Sequence, residues 1–465
     1  MSQILIIGLV SPYQQTALKV ALAAVDGSTV HHVSKEALYA SGEAAPVTYH
    51  HINYKTVHDV ELLTPEPTAA IDADLLGRLA IHEFAALNMI DRVLWKRPRY
   101  RYYDVRRHLY YTMLGQWLHF LRSNRIERIL FHNVPHEGYD YIIYILACEL
   151  GIECRILFQL PVVDSCLCSQ RIETLFAPIE DQYRSSPPDE TRLSPRMEKE
   201  FQLRSSNDKP FYMQRKQLPV GKRLQQLWKK KLRMSARHRR IRHEVINPHD
   251  ALAQTADLNN RFIYFALHFQ PEMTTNPLGG RFSDQYLAIK LLADHLPSDV
   301  LLYVKEHPAM YGTDRATGRF HEFYQLIGQL PQTVLVKQDT ESVQLIEHCI
   351  ASATITGTVG WESLFRNKPT ITFGQTFYNS FAGCHHVQNA ADAAAAIEAI
   401  TTGSQDIGDA ELKRCLHAID AGTREGVIYD VYQAISIRSS DENRDGFIAL
   451  LRECLTAAQS EATQA

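Results

Sequence analysis

The chain has 465 residues, is 45% apolar and carries a formal net charge of -3. That length exceeds the usual size of a single hydrophobic core, so two domains are the expectation, and the charge balance excludes a globally basic nucleic-acid binder. No apolar run reaches the ~18 residues that a membrane span needs, so the sequence reads as a cytoplasmic protein, at most peripherally attached to a membrane.

The opening residues, Met1-Ser2-Gln3-Ile4-Leu5-Ile6-Ile7-Gly8, lack the charged leader and small-residue cleavage site of a signal peptide and read instead as a buried strand at 4–8. Further strand-like runs occupy 29–32, 128–131 and 154–158, and helical periodicity covers 75–87, 107–122 and 139–150. This alternation predicts a Rossmann-like domain over 1–175.

From 176 to 255 the composition shifts to Pro, Ser and charge, which marks a linker; Ser185-Ser186-Pro187-Pro188 and Ser205-Ser206-Asn207-Asp208 read as loops. A basic stretch at 215–242 contains Lys229, Lys230, Lys231, Arg233 and Arg237, interleaved with Leu227, Trp228 and Leu232. A basic helical insert of this kind suits an anionic inner-membrane surface, at about 1 kcal/mol per basic residue; the bland alternative is a solvated helix between domains. It matches no nucleic-acid-binding module.

Alternation then resumes, with strands at 262–267, 300–305, 333–336, 350–355 and 370–373 and helices at 284–295, 320–329, 342–349 and 359–366. Crossovers this short imply parallel strands and a second Rossmann-like domain over 256–425. Helices at 391–401 and 446–457 follow, the second within a C-terminal helical region at 426–465. Two Rossmann-like domains facing a cleft, with the basic insert between them, make a GT-B type α/β architecture. Epimerases and binding proteins share such alternation, so the motifs must decide.

Three strands of the second half end in turns suited to phosphate. They are His268-Phe269-Gln270-Pro271, Glu306-His307-Pro308 after Lys305, and Thr356-Gly357-Thr358-Val359-Gly360-Trp361-Glu362. Ligands of open α/β sheets sit outside the carboxyl ends of the strands, so these turns are expected to share one crevice. His307 can donate to a phosphate oxygen; the glycines allow close approach, and Glu362 can accept from ribose hydroxyls. Without a ligand, His307 would be a strand cap and Glu362 a charge at a helix N-terminus.

Gln270-Pro271, His307-Pro308 and the turn from Thr356 to Glu362 resemble the QP and HP motifs of the capsular polysaccharide Kdo transferase family. More broadly they look like bacterial transferases that use CMP-activated ulosonic acids. The resemblance is best over 260–375, with a second stretch at Phe131-His132-Asn133-Val134-Pro135-His136-Glu137-Gly138-Tyr139-Asp140. It implies transfer of an acidic ulosonic sugar, Kdo or a nonulosonic acid such as pseudaminic or sialic acid, from a CMP donor to a cell-surface polysaccharide or lipid-linked acceptor. By the same resemblance Gln270, Lys305, His307, Pro308, Thr356, Gly357, Thr358, Gly360 and Glu362 form the donor-nucleotide site. The loop 272–281, with Gly279-Gly280, would close over the donor.

Glycosyl transfer needs a carboxylate as base or nucleophile. Glu137, Asp140 and His136 follow the strand ending at Phe131, and Asp164 follows the strand at 154–158; Glu137 is the first choice. Asp140 reads equally as helix-start charge and Asp164 as a loop carboxylate. Metal and cofactor are not expected: Asp72-Ala73-Asp74 precedes a helix and fits N-capping, and Arg452 stands where a calcium loop beginning at Asp441 would need its bidentate Glu. The eight cysteines show neither a disulfide framework nor zinc spacing. Two alternatives stay open: a UDP-sugar-dependent transferase or epimerase, and a non-catalytic membrane-surface binding protein.

Overall fold

The computed structural model describes residues 2–58, 67–94, 102–185, 192–206, 246–270, 272–311, 319–320, 322–403 and 407–456. The basic stretch with Lys229, Lys230, Lys231, Arg233 and Arg237 lies outside the described residues, as does Pro271. The chain divides into two compact units: Met1–Gln182 together with Ile419–Ala465, and Tyr183–Ala418.

Unit 1 is built on β1 (Gln3–Ile7), β2 (Thr29–Ser34), β3 (Thr48–Asn53), β4 (Arg128–Phe131), β5 (Glu153–Gln159) and β6 (Ser165–Ser169), with the short β13 (Arg424–Glu425) at one edge. The sheet order is β13-β6-β5-β4-β1-β2-β3; β3 through β5 pair in parallel, and β6 and β13 are antiparallel additions. The β1 run is buried on both faces, as a parallel strand covered by helices must be. Helix Pro12–Leu22 follows β1, started by the Ser11–Gln14 capping box and Pro12 at its first position.

Sequence periodicity places 426–465 in a separate C-terminal region, whereas in the structure the chain from Ile419 onward is part of unit 1. Helix Ser440–Thr456 buries Phe447, Leu451 and Leu455 in the same core as Ile4, Ile6, Leu18 and Leu22. Gln159 Oε1 accepts from Ile428 N at 2.8 Å, so the end of β5 receives the returning chain.

Unit 2 holds β7 (Phe262–Ala266), β8 (Leu301–Lys305), β9 (Thr333–Val336), β10 (Ala351–Thr354), β11 (Thr370–Thr372) and β12 (Cys384–His386). All pairings are parallel, in the order β12-β11-β10-β7-β8-β9. Ile263, Phe265, Leu302, Val304 and Ala353 fill the core on one face; Phe262, Tyr264, Tyr303 and Val336 fill the other. Both units are thus Rossmann-like, the fold class that the alternation predicts. Helix Pro195–Ser205, capped by Ser194 with Pro195 at its first position, occupies part of the stretch read as linker.

Candidate functional site

The chain lays β8 and β9 on one side of β7, then returns to place β10, β11 and β12 on the other. At such a reversal the connections leave in opposite directions and open a crevice at the carboxyl ends of the strands. The turns after β7, β8 and β10 stand at those ends.

His268, two residues past β7, is buried, and its Nε2 lies 3.0 Å from both the Thr356 backbone N and Thr354 Oγ1. Accepting the Thr356 N–H requires Nε2 to be unprotonated. Burial lowers the imidazole pKa to about 3, with the charges of His307 and Arg319 adding to it. His268 therefore fastens the β7 turn to the β10 turn as a neutral acceptor.

Arg319 joins the β7 turn to the β8 turn. Its Nη1 donates to Gln270 Oε1 at 2.8 Å and its Nη2 to His268 O at 2.8 Å, while Nε and Nη2 clasp Glu306 at 2.8 and 2.9 Å. Tyr324 OH donates to the same carboxylate at 2.7 Å, and the His307 backbone N–H at 2.5 Å. Burial pushes the Glu306 pKa up, but the Arg319 charge and these donors together bring it below the ordinary value. Gln270, His268 and Glu306 are thus one network.

His307 is half-buried, with Nδ1 accepting from Ala309 N at 3.1 Å. That fixes the tautomer: the proton sits on Nε2, which is a donor. Burial lowers the His307 pKa, so this donor is neutral. Pro308, beside it, is exposed.

On the third turn Thr356 Oγ1 donates to Thr274 O at 2.7 Å, and Gln375 N to Leu278 O at 2.8 Å. These bonds fix the loop 272–281 against the ends of β10 and β11. A side chain at Gly374 would come within 2.5 Å of Leu278 O and of Thr356 Cγ2, so only glycine admits this approach. Gly357 is equally crowded, its built Cβ 2.7 Å from Thr354 Oγ1, and its carbonyl accepts from Tyr378 OH.

The other donor-site residues are engaged differently. Lys305 Nζ donates to Ser342 Oγ at 3.1 Å, and alternation along β8 puts Lys305 on the face of Tyr303. Gly360 serves packing, since a Cβ there would sit 2.6 Å from Tyr378 OH and 2.8 Å from Thr370 Oγ1. Glu362 Oε1 accepts from Thr358 Oγ1 at 3.3 Å and from Arg204 Nη1 at 3.4 Å, and burial raises its pKa against the opposing charges of Arg204 and Arg366. Arg204 also pairs with buried Glu200 at 2.7 Å, which accepts from Trp361 Nε1 at 3.0 Å. Arg319, Arg204 and Glu200 escaped sequence reading because an isolated charged residue gives no signal of its burial.

In unit 1, β1 and β4 are neighbours at a second such reversal. Gly8 takes φ +87°, and its built Cβ would fall 2.1 Å from His132 Nδ1, so glycine is required there. After β4, Asp140 accepts from the backbone N–H groups of His136, Glu137 and Tyr141 at 2.9, 2.6 and 2.7 Å. Burial raises its pKa, with Glu137 adding and His136 and the donors opposing. Asp140 is engaged in holding this turn.

Glu137 accepts from Tyr54 OH at 2.8 Å and remains half-buried. His136 Nδ1 is 2.6 Å from Val134 O, which only a protonated Nδ1 can approach, so in the neutral ring the lone pair is on Nε2. Asp164, read as a rim residue, is buried at φ +47°; its Oδ2 accepts from Ile437 N at 3.1 Å and its backbone O from Gly426 N at 3.2 Å. It fastens the returning C-terminal chain. Asp72 Oδ1 accepts from Leu75 N at 2.8 Å, the N-cap expected of it. None of the eight cysteines, all among the described residues, forms a disulfide.

Residues 210–420 match the family of capsule polysaccharide biosynthesis proteins. The capsule-family stretch holds all three turns from His268 to Glu362, and bears out the family resemblance that they suggest.

Among solved structures, the chain is similar to KpsC, beta Kdo 2,7 transferase, of Thermosulfurimonas dismutans, at 12% identity over 71% of this chain and 88% of that one, with a TM-score of 0.32. KpsC, beta Kdo 2,4 transferase, of the same organism is 11% identical over 65% of this chain and 82% of that one, at 0.30. UDP-GlcNAc 2-epimerase of Methanocaldococcus jannaschii is 12% identical over 87% and 94%, at 0.28. At these scores no likeness decides between transfer and epimerisation. No curated protein matches the chain.

Proposed function

We propose that this protein is a glycosyltransferase of capsule polysaccharide synthesis, moving an acidic ulosonic sugar from a CMP donor to a polysaccharide or lipid-linked acceptor. The observation that carries it is the network of three turns: His268, Arg319 and Glu306 lock the ends of β7, β8 and β10 together and hold His307 with its neutral Nε2–H as donor. Arg319 is neutralised by Glu306, so the turns offer neutral donors, which suits the single phosphate of a CMP donor better than the denser charge of a diphosphate.

In the proposed roles, His307 and Gln270 meet the phosphate, and Thr356, Gly357 and Thr358 form the wall of the pocket. The Glu362 side chain accepts from Thr358 and Arg204 through Oε1, and we assign Oε2 to a ribose hydroxyl. The bond from the anomeric carbon to phosphate breaks, CMP leaves with the bonding electrons, and the acceptor oxygen takes the carbon while losing its proton. For that proton we assign Glu137, with His136 Nε2 as the second candidate. If transfer retains configuration through a covalent intermediate, Glu137 is also our first choice of nucleophile. The proposed reaction requires no metal or cofactor, and its place is the inner face of the cytoplasmic membrane.

Thermal-shift binding of CMP, UDP and GDP, repeated on His307→Ala, tests the donor assignment. Stabilisation selective for CMP and lost in the variant supports it, and incorporation of Kdo or a nonulosonic acid from the CMP donor would identify the sugar. Selectivity for UDP would favour the epimerase or UDP-sugar reading. No response to any nucleotide would overturn a transferase role.

A further inference from the structure

The turn that carries His307 is short and needs support at both ends. After His307 the chain makes a 3-10 turn, Pro308–Tyr311, in which Met310 N donates to His307 O at 2.9 Å and Ala309 N to His307 Nδ1 at 3.1 Å. The second bond orients the His307 ring, so its Nε2–H moves with the turn. A 3-10 turn of this length has poor internal hydrogen bonds, and its place is set by what its side chains hold. Met310 is buried in the unit 2 core. Tyr311 reaches in the other direction, to His249.

His249, on helix Asn247–Leu252, is fully buried. Its ring stands edge-on to Tyr311, with centroids 5.6 Å apart, and to Tyr324, at 5.2 Å. Its Nδ1 is hydrogen-bonded to Tyr311 OH, and Asp250 Oδ1 lies 3.3 Å from Nδ1 and 3.4 Å from the same hydroxyl. One tautomer serves all three groups: Nδ1–H donates to the Tyr311 oxygen, and Tyr311 O–H donates to Asp250. In that tautomer the lone pair is on Nε2, which has no hydrogen-bond partner among the described residues. Tyr324 in turn donates to Glu306, the residue before His307. A single buried imidazole thus supports the chain on both sides of His307.

We infer that His249 is a positioning residue for nucleotide binding: through Tyr311 and the 3-10 turn it holds the Nε2–H of His307 in place for the phosphate. The inference rests on the assignment of His307 to the phosphate of the nucleotide.

The test is CMP affinity of the full chain by calorimetry, with denaturant unfolding alongside. The proteins are wild type, Tyr311→Phe, His249→Phe, His249→Asn, His307→Ala and His249→Phe/His307→Ala. Tyr311→Phe removes one hydroxyl from a half-buried residue and reads the bond even where a His249 variant fails to fold. CMP affinity is expected to fall about tenfold in Tyr311→Phe and His249→Phe, and to recover partly in His249→Asn, whose amide can still donate to Tyr311. At CMP concentrations that saturate His307→Ala, the double variant should bind no more weakly than His307→Ala alone, because a residue acting through His307 then has nothing to position. A merely structural role would lower unfolding free energy and leave CMP affinity alone. Wild-type affinity in Tyr311→Phe, or additive losses in the double variant, would overturn the inference while the nucleotide site stands. A wild type that binds no nucleotide would overturn the His307 assignment and this inference with it.

Discussion

Arg319 and Glu306 form a buried two-point ion pair, Nε to Oε2 at 2.8 Å and Nη2 to Oε1 at 2.9 Å, both side chains fully out of solvent. Neither residue points to a ligand; each shapes a turn that does. Removing one partner leaves a buried charge, so Arg319→Met should cost about 3–5 kcal/mol of unfolding free energy. Arg319→Lys keeps the charge but loses the fork that reaches Gln270 and His268 O. Denaturant unfolding would read the first loss. A weaker nucleotide-induced shift in a still folded Lys variant would read the second.

His307→Ala should leave the fold nearly unchanged, because the imidazole is only half-buried and its internal bond is one to Ala309 N. Its effect belongs to the ligand. At a CMP concentration of about 100 times Kd the wild type gains about 2.7 kcal/mol, and the variant should lose most of that gain. His307→Gln, which can still donate, should recover part of it.

Glu137 and Asp140 are expected to separate. Asp140→Ala strands three backbone donors of a buried turn and should cost about 1–3 kcal/mol or more in stability. Glu137→Gln keeps the hydrogen bond with Tyr54 and should leave the melting temperature in place while lowering turnover by about 100-fold or more. An active Glu137→Gln enzyme would remove it from the proposed chemistry.

Acid should destabilise both units through their buried histidines. The pKa of His268 is lowered to about 3, and those of His32 and His132 to about 4, in each case first by burial. Each binds its proton more readily when unfolded, so the stability it contributes is present above the ordinary imidazole pKa and is lost as pH falls toward its folded value. The slope is up to about 1.4 kcal/mol per pH unit for each group. Melting curves between about pH 7.5 and 4 should steepen below about 6.5, the ordinary imidazole value. His132→Gln, if folded, should flatten the profile.

Gly360→Ala should be costly for a helical site where alanine is normally the better residue. The added methyl meets Tyr378 OH and Thr370 Oγ1, both on buried residues. A loss of about 1–3 kcal/mol in denaturant unfolding is expected from overpacking.

Local sequence order determined the alternation of strands and helices, because a parallel strand needs a continuous apolar run and its crossover helix an apolar stripe at helical spacing. It also located the three turns, whose Gly, Thr and His-Pro residues stand directly after those runs. It passed over β3, whose polar Thr48–Asn53 lies at the sheet edge, and the short β6 (Ser165–Ser169), β12 (Cys384–His386) and β13 (Arg424–Glu425), which are too brief to carry a pattern. Only the tertiary structure decided that Ile419–Ala465 joins unit 1, that Asp164 fastens that return, and that Arg319 links the turns. Those outcomes depend on contacts between residues far apart in the chain, where desolvation and partner geometry, not local propensity, set the role of each charge.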